Sequence, residues 1–316
     1  MRPRLGDRMS TAGGTRAIIA ALGANLGIAV TKFAAFALTG SSSMLAESIH
    51  SVADSGNQGL LLLGGKRSRR EATEQHPFGY GRERYLYAFV VSIVLFSVGG
   101  LFAVYEGIHK LENPEPITEW QWVPIAVLLV AIGLEAFSFR TAIRETSKIR
   151  GDVSWSGFIR HSRVPELPVV LLEDLAALIG LVFAFFGVAL TLATGNGVWD
   201  AIGTLLIGLL LVGVAVVLSM EMKSLLIGES ATEEHVDLIR DAVTDGEDIE
   251  RVIHMRTQHI GPEELLVAVK IGVRGASTAA DISRAIDEAE ARIRSAVPIA
   301  RVIYIEPAIY RAPDAG

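Results

Sequence analysis

Over the first two thirds of the chain, hydrophobic residues gather into runs of about 20, the length a helix needs to cross a hydrocarbon core about 30 Å thick. Counting these runs predicts six spans near 17–39, 43–65, 85–109, 121–139, 168–193 and 199–220, the fourth being interrupted by Glu135. Beyond about Met220 the long runs give way to alternation. Ser230 with Glu233 reads as a capping box opening a helix to about Val243. Residues 249–260 read as a strand, Gly261-Pro262 as a turn, and Leu265, Val267, Val269, Ile271 and Val273 as one face of a second strand. Ile282, Ile286, Ala289, Ile293 and Val297 recur at helical spacing, and 300–306 closes with a third strand. The fold class predicted is an α-helical membrane protein of six transmembrane helices with a C-terminal α/β, ferredoxin-like domain. The expected boundaries are 1–16 for an N-terminal segment, 17–220 for the membrane domain and 221–316 for the soluble domain.

Composition agrees with a membrane protein. Of the 316 residues 50% are hydrophobic and 20% charged, and the mean hydropathy is +0.40, a balance no ordinary soluble domain needs. The basic start, 1–16, runs into a full-length apolar span without a small-residue cleavage pattern, so the first span is expected to be retained. Connecting segments on one side collect sixteen basic residues, from Arg2 to Arg16, Lys66 to Arg84 and Arg140 to Arg163, against Lys110 alone on the other. By the positive-inside rule both termini lie in the cytoplasm, and the expected location is the bacterial inner (plasma) membrane. The chain has no cysteine, so any metal must be held by nitrogen and oxygen. From 221 to 316 there are 18 acidic and 11 basic residues; that balance, with a pI near 5.7, gives no reason to expect a nucleic-acid partner.

Ionisable groups inside a bilayer are costly and mark ion paths or partners. On the second span Glu47, His50, Asp54 and Asn57 are spaced 3, 4 and 3 apart, so their side chains share one helical face. His50 and Asp54, four apart, can both reach one ion, and an imidazole with a carboxylate suits zinc and other first-row divalent metals. On the fifth span Asp174 can complete that site, with Glu173 about 100° round the helix as a supporting or proton-carrying group. The alternative is a packing stripe whose members hydrogen-bond one another. Lys32 is expected to snorkel or pair with an acid, and Asp200 to cap the sixth helix. Residues 146–167 are expected along the membrane interface. A metalloenzyme is disfavoured: the chain has no His-Glu-x-x-His run and no paired nucleophile and base.

His50-x-x-x-Asp54, the loop His76-Pro77-Phe78-Gly79-Tyr80-Gly81-Arg82-Glu83-Arg84, six spans and an acidic tail together resemble the cation diffusion facilitators. The runs 46–51 and 170–180 are most similar to the branch that includes the mitochondrial zinc transporter nine. The resemblance implies export of a divalent metal, Zn2+ first, from the cytoplasm in exchange for protons, by a homodimer that holds the ion between spans 2 and 5 without a cofactor. It places the metal on His50, Asp54 and Asp174. Val170 stands where the family's fifth-span histidine is usual, so Glu47, Asn57, Glu173 or water must fill the shell, and an oxygen-richer site opens the choice to Mn2+ or Fe2+. The missing ligand also leaves room for a transport-inactive regulatory or scaffold subunit. A second family site in the loop keeps only His76, beside Thr73 and Tyr80, and is expected to be absent. The tail is expected to dimerise rather than bind metal, with His235, His254 and His259 solvated.

Overall fold

The computed structural model describes residues 26–151, 153–246, 248–274 and 277–309. The expectations for 1–16, and for the start of the first span, lie outside the described residues. The chain divides into two compact units: residues up to Gly64 with Tyr87–Met222, and Gly65–Leu86 with the chain from Lys223 onward.

The first unit is helical. In chain order the helices are α1 (Leu26–Thr39), α2 (Ser42–Arg67), α3 (Glu83–Glu112), α4 (Trp122–Arg150), α5 (Trp155–His161), α6 (Glu166–Thr194) and α7 (Val198–Ile227). Four of them, α3, α4, α6 and α7, are long and apolar enough to cross a membrane. With 26 residues α2 has the length as well, and its polar stripe is what dilutes its apolarity. Glu135 does not break the fourth span; it sits inside the 29-residue α4. Inside α3 the segment Leu95–Leu101 is a π-helix, a local widening of the helix that recurs at functional sites.

Close helix approach comes from small residues, as in membrane bundles generally. A methyl at Gly187 of α6 would lie 2.9 Å from the Trp199 carbonyl oxygen, and one at Gly203 of α7 would lie 3.0 Å from that of Phe183. The α1–α2 turn is fastened to α7 by Asp200. Its carboxylate accepts hydrogen bonds from Ser41 Oγ at 2.9 Å, Ser42 N at 2.7 Å, Ser42 Oγ at 3.0 Å and Ser43 N at 3.3 Å. Asp200 therefore caps α2, not its own helix as the sequence suggested. The reason is spatial: the orphan N–H groups of a helix start sit beside it, while Asn196 Oδ1 accepts from Val198 N at the start of α7.

In the second unit, α8 (Glu233–Thr244) opens on Thr232, whose hydroxyl accepts from His235 N, and not on Ser230. Strands β1 (Ile249–Gly261) and β2 (Glu264–Val273) pair antiparallel. After α9 (Ala279–Ala296), β3 (Ala300–Ile309) returns parallel to β2, giving a three-stranded sheet in the order β1-β2-β3. This is the expected α-β-β-α-β sequence of elements. Leu265, Val267, Val269 and Ile271 alternate into one core with Ile239 and Val243 of α8 and Ala285, Ala289 and Ile293 of α9. Thr278 and Asp281 form a full capping box on α9, and the Thr278 hydroxyl and amide hold the Asp281 carboxyl below the usual carboxylate range.

The loop 65–86 belongs to this unit. A methyl at Gly81 would lie 2.8 Å from the Ile260 carbonyl oxygen and 3.0 Å from Gly261 Cα, so the loop backbone rests on the β1–β2 turn. Arg84 adds an ion pair to Glu263 at 3.7 Å.

Candidate metal centre

Helix α2 turns its stripe inward. Glu47, His50 and Asn57 are buried while Val52, Leu62 and Leu63 on other faces are exposed. Asp54 is 17% exposed, and His50 Nδ1 stands 3.4 Å from its Oδ1. The imidazole lies against the π-helical segment of α3, where a methyl at Gly99 would come within 3.9 Å of Nδ1. Further along the stripe, Asn57 Nδ2 donates to Glu173 Oε1 of α6 at 2.7 Å. Near its start, Lys32 of α1 donates from Nζ to Glu47 Oε2 at 2.9 Å and to Ser51 Oγ at 2.8 Å.

The two acids of α6 part company. Glu173 lies on the buried face that continues through Ala176, Ala177, Gly180, Ala184 and Gly187, and it meets α2. Asp174, about 100° round the helix, is half-buried and accepts from Ser138 Oγ of α4 at 3.1 Å. Val170, four residues before Asp174, is half-buried too. The structure thus brings His50 to Asp54 and Asn57 to Glu173, ties Glu47 to Lys32, and sets Asp174 against α4. Among the described residues no three His, Asp or Glu side chains converge closely enough to hold a metal ion.

Several buried polar atoms of the stripe have no hydrogen-bond partner among the described residues: Glu47 Oε1, His50 Nδ1 and Nε2, Asp54 Oδ1, Asn57 Oδ1 and Gln58 Oε1. Leaving such groups unpaired costs about 1–3 kcal/mol each. They form a run of nitrogen and oxygen donors along one helix face, the donor chemistry of a divalent cation.

Two participants escaped the sequence reading. Glu135 interacts electrostatically with Asp174 and with Asp54; a charge within an apolar run was the signal available for it. Ser138, one turn on, carried no signal of its own. In the loop, exposed His76 packs against Tyr80 with ring centroids 4.7 Å apart and the planes tilted by 34°, and Tyr80 OH is 3.1 Å from its Nδ1. In the C-terminal unit His254 is exposed, but His259 is buried, its amide donating to the Glu229 carbonyl oxygen, which departs from the solvated role expected.

The family model for the cation efflux transmembrane domain matches residues 18–227. The chain belongs to the cation efflux family. Curated relatives of this cation efflux chain include the proton-coupled zinc antiporter SLC30A9 of mitochondria, 32% identical over 77% of the chain in Xenopus laevis and over 73% in Homo sapiens. The matches span less than half of those proteins, 44% and 41% of their lengths. Metal tolerance protein C4 of Arabidopsis thaliana is 28% identical over 82% of the chain and 57% of its own length. A solved C-terminal domain variant of MamM covers 25% of the chain and 94% of that chain, at 18% identity and a TM-score of 0.24. The family and the apolar helices make this a multi-pass integral membrane protein.

Proposed function

We propose that this chain is a secondary transporter that moves a divalent metal cation, Zn2+ first, out of the cytoplasm in exchange for protons. The observation that carries the reading is the row of buried nitrogen and oxygen atoms on α2, from Glu47 to Gln58, that have no hydrogen-bond partner among the described residues. It lies among helices apolar enough for a membrane, and relatives are named proton-coupled zinc antiporters. His50 and Asp54 are the first two ligands. An α6 carboxylate supplies the third: Asp174 by resemblance, or Glu173 by its place on the α2-facing side. In this reading α1, α2, α3, α4, α6 and α7 are six spans, both termini are cytoplasmic, and the C-terminal domain joins two copies.

The exchange follows from ligand chemistry. An imidazole nitrogen or a carboxylate oxygen that holds a metal ion must first give up its proton, so metal entry releases protons and proton entry from the other side expels metal. Rocking the helices that carry the site exposes it to each side in turn. No enzymatic step is needed, and the metal is cargo rather than cofactor.

Initial-rate Zn2+ and Mn2+ flux into vesicles containing the purified chain tests this reading, with Asp174→Asn and Glu173→Gln compared in the same preparation. One of the two should lose transport while the other keeps most of it. Full flux in both variants would contradict a third ligand from α6. A transport-inactive regulatory or scaffold subunit is the second reading, favoured by Val170 in place of a histidine and by the absence of a three-ligand group among the described residues. Metal binding without flux would select it.

A further inference from the structure

Lys32 plays no part in the exchange as described, yet with Glu47 it forms the most completely buried ion pair among the described residues, with side chains 1% and 0% exposed. The ammonium reaches Glu47 Oε2 and Ser51 Oγ, and these two residues flank His50 on the stripe. It also interacts electrostatically with Asp54 and with Glu135. On its other side Glu47 meets α6: a methyl at Gly180 would lie 2.8 Å from Glu47 Oε1. One carboxylate oxygen, Oε2, is therefore engaged by the lysine of one helix, while Oε1 faces the bare backbone of another, in line with the proposed ligands.

A helix-to-helix tether does not require charge. Replacing a buried ion pair by apolar residues of similar volume is often neutral or stabilising, and ionisable groups at membrane depth mark function. Building on the transport reading above, we propose that Lys32 is a built-in counter-cation of the metal site. It holds the Oε2 oxygen of Glu47 away from the ion and places a fixed positive charge beside the site, so that a divalent cation is bound loosely enough to leave. It also sets specificity: with that oxygen withheld, fewer oxygen donors face the ion, which favours Zn2+ over Mn2+.

The two partners should then have opposite effects on metal affinity. Lys32→Met releases Glu47 and removes the repulsion, so metal binds more tightly. Glu47→Gln leaves the ammonium unneutralised next to the ion, so metal binds more weakly. The expected scale is about 5–150-fold in each direction, the range of ordinary site-to-site coupling. A lysine and glutamate that only tie α1 to α2 would lower stability in both variants and leave affinity alone.

The test measures Zn2+ and Mn2+ dissociation constants by calorimetry on the full purified chain in detergent, alongside initial-rate flux in vesicles. The variants are Lys32→Met, Glu47→Gln, the double variant Lys32→Met/Glu47→Gln, and Lys32→Arg. Expected are a lower Kd and KM with a lower maximal rate for Lys32→Met, and a shift of its selectivity toward Mn2+. Glu47→Gln should raise Kd, the double variant should return toward the wild-type value, and Lys32→Arg should keep it. If Lys32→Met does not yield monodisperse protein, Glu47→Gln and the double variant decide by the same criterion. An unchanged Kd in Glu47→Gln, or a double variant that does not return, overturns the proposal. Wild-type chain that binds metal but carries none would refute the transport reading alone, since the affinities still report on Lys32.

Discussion

Removing the Asp200 carboxylate should loosen the start of α2, and the cost can be worked from its hydrogen bonds. Ser41 satisfies one further amide of the first turn, its hydroxyl accepting from Met44 N at 3.3 Å. The amides of Ser42 and Ser43, at 2.7 and 3.3 Å, rely instead on Asp200. In Asp200→Ala both amides are buried without an acceptor, at about 1–3 kcal/mol each, or about 2–6 kcal/mol together. The hydroxyls lose less, because Ser42 Oγ keeps Thr204 Oγ1 at 2.9 Å. In a chain of this size each 1 kcal/mol moves the midpoint by about 2–4 °C, so an apparent Tm lower by roughly 5–20 °C is expected. Tryptophan fluorescence of the purified chain during heating in detergent measures it. Asp200→Asn keeps one acceptor oxygen and should lose about half as much. Thr204→Ala, which spares both amides, should fall by less than either. An Asp200→Ala chain that melts within about 2 °C of the wild type would show that α2 does not depend on α7 for its cap.

Asp54→Asn should abolish metal flux while leaving the purified chain monodisperse, and flux near the wild-type rate would remove Asp54 from the ligand set. Gly81→Ala forces a methyl to within 2.8 Å of the Ile260 carbonyl oxygen and should lift the loop 65–86 off the β1–β2 turn, read as faster tryptic cleavage after its arginines; unchanged cleavage would contradict the docking. The Asp281 carboxyl, held below its usual range by Thr278 and Arg284, contributes stability that is present above the unfolded carboxylate value and lost as pH falls through the lower folded one. Asp281→Asn should accordingly be less stable than wild type near neutral pH, and the gap should narrow as acid titrates the wild-type carboxyl through its lowered folded value; a gap that stays constant on acidification would contradict the sign.

The stripe on α2 was legible because helical geometry alone puts residues 3 and 4 apart on one face, and Glu47, His50 and Asn57 are buried together. Alternation likewise foretold the core face of β2, where Leu265 to Val273 point at the helices. Which of two adjacent acids meets α2 was not legible from the resemblance, which favours Asp174. The face is decided by the small residues that let α6 approach its neighbours, and Glu173 lies on that line with Ala176, Gly180 and Gly187. Partners across helices were out of reach for a related reason. Lys32 could be assigned an acid in general, but spacing along one helix says nothing about which side chain of another stands 2.9 Å away. The same limit turned Asp200 from a cap of its own helix into the cap of α2, and Ser230 lost its role to Thr232 because the capping residue is fixed by where the backbone leaves the extended region, at ψ 156° for Thr232.

In the proposed exchange, metal and protons move through the chain in opposite directions. Purified protein in sealed vesicles, loaded with a zinc-sensitive dye and given an outward proton gradient, measures it directly. Zn2+ should enter faster with the gradient than without it, the vesicle interior should lose protons as metal arrives, and Asp54→Asn should abolish both signals. Zn2+ entry that ignores the proton gradient, or proton movement without metal, would contradict the account.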